Sequence, residues 1–193
     1  RMPDLDGAEL MREVCRRHPE VIRMILTGHS DPAMIRRAVP VTHQFLAKPC
    51  PPPDLVAALQ RVLEPRRRIG DAAVWRAVGR IERLPSSAET LRRYRKALAR
   101  PEVGAGELGR IAAEDPAMSA RVIQLGQSVY RPSPVFVADP EVAVARLGVD
   151  LMRSLEPIPL FEAGPEGACG FDDWIRHCRR TAESARQAAE QRG

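Results

Sequence analysis

A short apolar run from Val21 to Leu26 constrains this fold most. Only Arg23 interrupts it, and nearly continuous apolar runs of this length are typical of buried parallel strands. Apolar residues at helical spacing precede the run and end at Pro19, and a second short strand is predicted from Thr42 to Ala47. The predicted order of helix, strand, helix, strand and helix indicates βα units that build a parallel sheet.

The remaining elements of this first region follow the same alternation. A turn is predicted over Thr27 to Ser30, Asp31-Pro32 opens a helix through Ala38, and the last helix is predicted from Asp54 to Leu63. Two strands alone leave both edges and faces of a doubly wound sheet poorly covered. We therefore expect the chain to begin inside a domain, with Arg1-Met2-Pro3 at the exit from an earlier strand.

The strand pattern fades from about residue 69, and the rest of the chain is predicted to be helical. Asp before Pro marks two helix starts, and Ser-x-x-Glu marks a third. The predicted elements are a connecting helix Ile69–Leu84, a helix behind Ser86-x-x-Glu89, a helix Gly104–Ala113, helices opened by Asp115-Pro116 and Asp139-Pro140, a loop Arg131–Ala138, and helices Asp150–Phe161 and Phe171–Gln191.

Composition narrows the classes of protein. No apolar run approaches the roughly 20 residues of a membrane span, no leader is recognised, and we expect a cytoplasmic protein without a membrane partner. The four scattered cysteines favour free thiols in a reducing compartment. The net charge is +5, but the basic residues are interleaved with acidic ones. Nucleic-acid binding through the run Arg66–Arg68 is therefore kept only as a low-ranked alternative.

Three motifs between residues 1 and 64 resemble the receiver domain of two-component response regulators. Arg1-Met2-Pro3-Asp4-Leu5-Asp6-Gly7 is similar to the loop after the phosphoacceptor aspartate. Leu26-Thr27-Gly28 is similar to the segment with the phosphoryl-sensing hydroxyl, and Phe45-Leu46-Ala47-Lys48-Pro49 to the aromatic-x-x-Lys-Pro end of the last strand. The resemblance implies an incomplete flavodoxin-like α/β domain.

The resemblance also assigns roles to three side chains. Lys48, one of only two lysines, supplies a point charge to a phosphoryl group, and Thr27 donates a hydrogen bond to it. Movement of Thr27 vacates space for Phe45, an aromatic switch in a two-state element. In this family the Lys48-Pro49 peptide is typically cis. The alternatives are a structural strand-end threonine, a solvated lysine and a core phenylalanine.

The residues that accept the phosphoryl group are the main departure from the family. The resemblance puts the phosphoacceptor two residues before Arg1 and the acidic pair for Mg²⁺ farther upstream, so only the backbone carbonyl of Arg1 corresponds to a metal ligand. Asp4 and Asp6 fall beyond the pocket. We expect Mg²⁺ as the cofactor of an intact receiver, and we expect this chain not to be phosphorylated on its receiver.

Residues 84–161 resemble the HDOD domain, an all-α relative of the HD phosphohydrolases. The most specific segment is Asp115-Pro116-Ala117 followed by Ala120-Arg121 and Leu125, and Gln127-Ser128 stands where the family usually has Asn-Ser. Trp174-x-x-His177 is similar to a later helix that carries a metal-ligating histidine in the enzymes. The chain has no His-Asp dipeptide, so His177 is interpreted as a structural or surface residue.

These observations define a predicted organisation and function. We expect a receiver portion at 1–65, a linker helix at 66–84, and an HDOD domain at 85–193 that is truncated at its C-terminus. The predicted function is a phosphorelay response regulator, not an enzyme, whose helical output acts by protein–protein contact. Its expected partners are a sensor histidine kinase and an unknown downstream protein, with a homodimer as a candidate. The alternative is a receiver-regulated, metal-dependent HD-type phosphohydrolase.

Overall fold

The fold begins with a parallel pair of strands between helices. The computed structural model describes residues 6–28, 37–81, 84–128, 137–155, 162–163 and 170–191. Strand β1 (Met24–Thr27) pairs in parallel with β2 (Gln44–Ala47), with Met24 opposite Gln44 and Thr27 opposite Ala47. Both strands are shorter than the apolar runs that predicted them, because the residues before them form loops or a 3₁₀ turn (Val39–Val41).

Helix α1 (Gly7–Arg17) is set by its ends. The Asp6 carboxylate accepts from the Glu9 N–H at 2.9 Å, and the Glu9 side chain accepts from the Asp6 N–H at 3.1 Å, which completes a capping box. The helix buries Ala8 and Cys15 and ends at His18. The predicted helix that ends at Pro19 is therefore confirmed.

Two helices connect the sheet to the rest of the chain. Helix α2 (Pro52–Arg68) is longer than the predicted Asp54–Leu63, because it starts on prolines that fit a first turn and continues one turn past Pro65. Helix α3 (Ala72–Gly79) is capped by Asp71 and is shorter than the predicted Ile69–Leu84. The residues Arg66–Arg68 belong to the last turn of α2, where cations complement the helix dipole.

The second half is helical, as predicted. Its helices are α4 (Ala88–Leu98), α5 (Ala105–Ala113), α6 (Pro116–Ser128), α7 (Pro140–Leu147), α8 (Val149–Leu155) and α9 (Phe171–Glu190). The described helices include none with the length and apolar content needed to cross a membrane.

One local prediction in this half was wrong, and two short strands were not predicted. The N-cap of α4 is Ser87, whose side chain accepts from the Thr90 N–H, whereas Ser86 belongs to the two-residue strand β3 (Pro85–Ser86). This strand pairs in parallel with β4 (Glu162–Ala163). Neither strand was predicted, because two residues carry no periodic pattern.

Several predicted features fall outside the described residues. These are most of the helix opened by Asp31-Pro32, most of the loop 131–138, and the end of the helix 150–161. Of the first, only Arg37 and Ala38 are described, and both are helical.

One apolar core joins the two halves of the chain. Phe45 and Val39 from the first half belong to the same cluster as buried side chains of α4 to α8. The largest fully buried members of the cluster are Phe45, Leu108, Met118, Leu125, Met152 and Leu155. The predicted fold class, an incomplete α/β segment followed by an all-α region, is confirmed.

Candidate phosphoryl-sensing site

Thr27 and Lys48 meet where the two parallel strands end. Thr27 is the last residue of β1, and Lys48 directly follows β2. The Lys48 N–H donates to the Thr27 carbonyl at 2.7 Å. Because carboxyl ends of parallel strands share one edge of a sheet, this contact brings the predicted hydroxyl and the predicted cation to the same edge.

Lys48 is exposed at this edge, and the bond between Lys48 and Pro49 is cis, as the resemblance implied. A Cβ atom built on Gly28 would lie 4.0 Å from the Lys48 Cβ. The stem of Lys48 therefore starts beside Gly28, the residue that follows Thr27. Because Lys48 is exposed and its stem is long, its ammonium group can reach an anion bound at this edge.

Phe45 lies on the same face of the sheet as Thr27. The register sets Ile25 opposite Phe45 and Thr27 opposite Ala47, and side chains two residues apart along a strand point the same way. Phe45 is only 1% exposed, whereas Thr27 is half-buried. The core alternative for Phe45 and the switch role are compatible with this position, and the switch role stays a prediction.

Of the acidic candidates, the structure describes Asp6, which lies at the start of α1. Asp6 caps α1 and pairs with Arg37 at 2.7 Å. The pKa of Asp6 lies below its ordinary value, first because it accepts from the Glu9 N–H and then because Arg37 is near. Arg1 and Asp4 lie outside the described residues. No group of three or more potential metal ligands occurs among the described residues, which therefore do not fit a magnesium site.

His177 in the helical half is exposed on α9. Its backbone carbonyl accepts from the Thr181 hydroxyl at 3.0 Å. A hydrolytic metal centre of the HD type needs several converging histidines and aspartates. The part of the chain that the structure describes does not bring such a set together around His177.

Arg23 is a structural centre that the sequence analysis missed. It is 5% exposed, and its guanidinium donates to the carbonyls of Val41 at 2.6 Å, Val21 at 3.0 Å, Pro19 at 3.1 Å and Gly79 at 3.4 Å. A buried cation needs such partners, because desolvation without them is costly. The available signal was a single arginine inside an otherwise apolar strand run.

His43 sits beside Arg23 and is held neutral. Its Nδ1 accepts from the Arg23 N–H at 3.0 Å. The pKa of His43 is lowered to about 4, first because burial disfavours the imidazolium and then because the Arg23 charge is near. His43 therefore acts as a hydrogen-bond acceptor and not as a cation near neutral pH.

Side chains of α6 reach the first half of the chain. Arg121 donates to the Val39 carbonyl at 3.2 Å, and Gln124 Nε2 donates to the Thr42 carbonyl at 2.6 Å. Arg121 also donates to Gln124 Oε1 at 2.8 Å. The pKa of Arg121 is lowered because burial disfavours its charged form. These contacts were missed because nothing in a single sequence pairs α6 with a turn some 80 positions away.

The basic run Arg66–Arg68 takes part in contacts within the chain. Arg66 donates to the Glu20 carbonyl at 2.6 Å and lies over the Trp75 ring. Arg68 pairs with Glu64 at 3.0 Å. These contacts occupy two of the three guanidinium groups and do not favour a nucleic-acid interface.

Comparison with known families supplies the assignment of both halves. The family model of the HDOD domain matches residues 84–193, more than half of the chain. The chain belongs to the HDOD family. The HDOD domain is preceded by a response regulator receiver segment, since the receiver domain model matches residues 1–60. The recognition of both domains from their motifs is thus confirmed.

Curated relatives match the receiver part. The hydrogenase transcriptional regulatory protein HoxA of Cupriavidus necator is 33% identical over 73 residues, which is 37% of this chain and 15% of that protein. The C4-dicarboxylate transport transcriptional regulatory protein DctD of Pseudomonas aeruginosa is 34% identical over 70 residues, 36% of this chain and 15% of that protein. The HDOD chain thus matches only a small part of each relative. No solved structure matches it.

Proposed function

We propose that this HDOD protein is a phosphorelay response regulator in which the receiver state is relayed to a non-catalytic HDOD output that acts by protein–protein contact. The receiver match supports the phosphorelay role. The observation that carries the proposal is the meeting of Thr27 and Lys48 at one sheet edge, while Thr42, just before the other end of β2, contacts α6. A sensor of this geometry is directly connected to the helical half.

The chemistry at this edge follows from charge. A phosphorylated carboxylate adds a dianionic group that recruits cations and hydrogen-bond donors. Lys48 neutralises part of this charge, and the Thr27 hydroxyl donates to a phosphoryl oxygen. The move of Thr27 frees space on the face that it shares with Phe45, and a change in Phe45 alters the core that continues into α4 to α8.

The residues available in the helical half support a non-catalytic output. His177 is the one histidine in the sequence of this half, and the chain has no His-Asp dipeptide. The alternative remains a metal-dependent HD-type phosphohydrolase. The chain incubated with Mn²⁺ and a generic phosphodiester is expected to give no hydrolysis above the metal-only background. Metal-dependent hydrolysis that disappears in His177→Ala, but persists in His18→Ala, would favour the enzyme.

Phosphoryl sensing is tested in a receiver that includes the phosphoacceptor expected upstream of Arg1. Beryllofluoride, which mimics a bound phosphoryl group, is expected to change hydrogen exchange in β2 and α6. Thr27→Ala and Lys48→Ala are each expected to abolish the change, whereas Lys96→Ala, a substitution of the other lysine, leaves it intact. An unchanged response in Thr27→Ala and Lys48→Ala would refute the sensor assignment.

The partners of the proposal follow from the two domains. A sensor histidine kinase would supply the phosphoryl group, and a downstream protein would read the HDOD surface in the cytoplasm. A homodimer through the receiver is a further proposal, tested by light scattering of the purified chain. The relatives are named as transcriptional regulators, but the similarity to them covers their receiver part, so DNA binding is not carried over.

A further inference from the structure

The turn before β2 is held by side chains from both halves of the chain. This docking turn, Val39–Thr42, comprises a three-residue 3₁₀ helix (Val39–Val41) and the residue that follows it. Arg121 donates to Val39, Arg23 to Val41, and Gln124 to Thr42. All three contacts lie between 2.6 and 3.2 Å. Two of the three donors, Arg121 and Arg23, are cationic, and hydrogen bonds from charged donors are stronger than neutral ones.

The linker is fixed to the same place. Arg23, which holds the docking turn, also donates to the Gly79 carbonyl at the end of α3. The Cys15 thiol lies 3.5 Å from that carbonyl. A Cβ atom on Gly79 would lie 1.8 Å from the Pro19 carbonyl oxygen, so only glycine fits this approach. Arg23 therefore contacts both the end of α3 and the docking turn, and the docking turn in turn contacts α6. We call Arg23 and the docking turn together the anchor.

The anchor and the candidate sensor occupy opposite ends of the same two strands. Arg23 immediately precedes β1, and Thr27 ends it. Thr42 lies just before β2, and Lys48 follows it. Four residues of strand span about 13 Å. We expect a shift at the Thr27 and Lys48 edge to reach the docking turn, since four residues of hydrogen-bonded strand separate the two ends.

We propose that the docking turn is the intramolecular interface through which the β1–β2 pair and the HDOD helix α6 move as one body. The direction of the signal rests on the proposed function, but the existence of the interface does not. Arg121 and Gln124 act as positioning residues on α6, and Gln44 adds a contact from β2, where its Nε2 donates to the Gln127 carbonyl at 3.5 Å. The partner of the docking turn is thus the helix that begins with Asp115-Pro116-Ala117.

The test is hydrogen exchange of the full chain without a phosphoryl donor. Amides of β2 and of α6 are expected to exchange through a common opening in the wild type, since elements that move together open together. In the double variant Arg121→Ala/Gln124→Ala, the β2 amides are expected to exchange about tenfold faster while most α6 amides stay within about twofold, because two hydrogen bonds to the docking turn are lost.

Arg110→Ala is the matched control. Arg110 is exposed on α5, and its Nε donates only weakly, at 3.4 Å, to the Gly106 carbonyl of its own helix. It is expected to leave β2 exchange unchanged. If the double variant does not fold, Arg121→Lys keeps the charge and stem but loses the guanidinium geometry, and it is expected to accelerate β2 exchange by a smaller factor.

Two results would overturn the proposal. One is unchanged β2 exchange in a folded double variant or in Arg121→Lys. The other is wild-type exchange in which β2 and α6 already open at rates more than about tenfold apart. Both readouts are independent of the beryllofluoride response, so loss of the docking interface and loss of phosphoryl sensing are recorded separately.

Discussion

Asp115 is expected to be among the most costly polar residues to remove. Its side chain is fully buried, and it accepts two backbone hydrogen bonds. Oδ1 accepts from the Met118 N–H at 2.9 Å, which caps α6. Oδ2 accepts from the Ser87 N–H at 2.7 Å, at the start of α4. One carboxylate therefore joins the first turns of two helices that are separated in sequence.

The magnitude follows from these two bonds. A hydrogen bond to a charged group contributes about 1.5–3 kcal/mol, and each lost acceptor leaves a backbone N–H without its partner. Asp115→Ala is therefore expected to lower the free energy of unfolding by about 3–5 kcal/mol. Asp115→Asn keeps one acceptor oxygen, and it is expected to cost about half as much.

Asp139→Ala is the matched comparison. Asp139 also precedes a proline at a helix start, but it is exposed and accepts only from the Glu141 N–H, at 2.7 Å. Loss of one exposed N-cap costs about 1 kcal/mol. Urea unfolding followed by circular dichroism measures all three variants. If Asp115→Ala costs no more than Asp139→Ala, the Asp115 carboxylate does not stabilise the junction of α4 and α6.

Two further predictions concern packing and pH. On α5, a Cβ atom at Gly106 meets open space, so Gly106→Ala is expected to stabilise the protein by about 0.5–1 kcal/mol. Gly109→Ala on the same helix places a Cβ atom 2.5 Å from the Glu141 Cα and is expected to destabilise the protein. Thermal unfolding compares the two variants, and equal effects would contradict close packing of α5 against α7. The pKa of His43 falls from 6.5 to about 4 on folding. As the pH is lowered, the unfolded state therefore binds the proton before the folded state does. The free energy of unfolding is expected to decrease by roughly 2 kcal/mol between about pH 7 and about pH 4. Urea titrations should show that His43→Gln makes this decrease smaller and that exposed His18→Gln does not. Part of the decrease is expected to stay, because the pKa values of Asp6, Glu13 and Glu114 are also lowered. A decrease of the same size in His43→Gln would refute the prediction.

Local signals in the sequence predicted local structure well. Asp139-Pro140 starts a helix as expected, because the cap and the fixed proline backbone act within one turn. The cap of α4 was misplaced by one residue, since Ser86, three residues before Glu89, has the capping-box spacing, whereas Ser87 is the N-cap. Ser86 instead pairs with a strand that is distant in sequence.

Contacts between distant segments could not be predicted in this way. The motifs identified Thr27 and Lys48, and the parallel pairing of their strands made their meeting predictable. The buried role of Arg23 was not predictable, because its acceptors belong to separate segments of the chain. A charged residue within an apolar strand indicates that acceptors exist, but not where they lie.

The segment that best identifies the HDOD family also has two physical tasks in this chain. Asp115 fixes the first turn of α6 to α4, and Arg121, six residues later, contacts the docking turn. Six residues of helix span about 9 Å, so both attachments lie on one short rigid rod. Because a helical segment of this length is stiff, a displacement at the docking turn is expected to move the start of α4 as well. The output surface most directly coupled to the receiver is thus expected at the junction of α4 and α6.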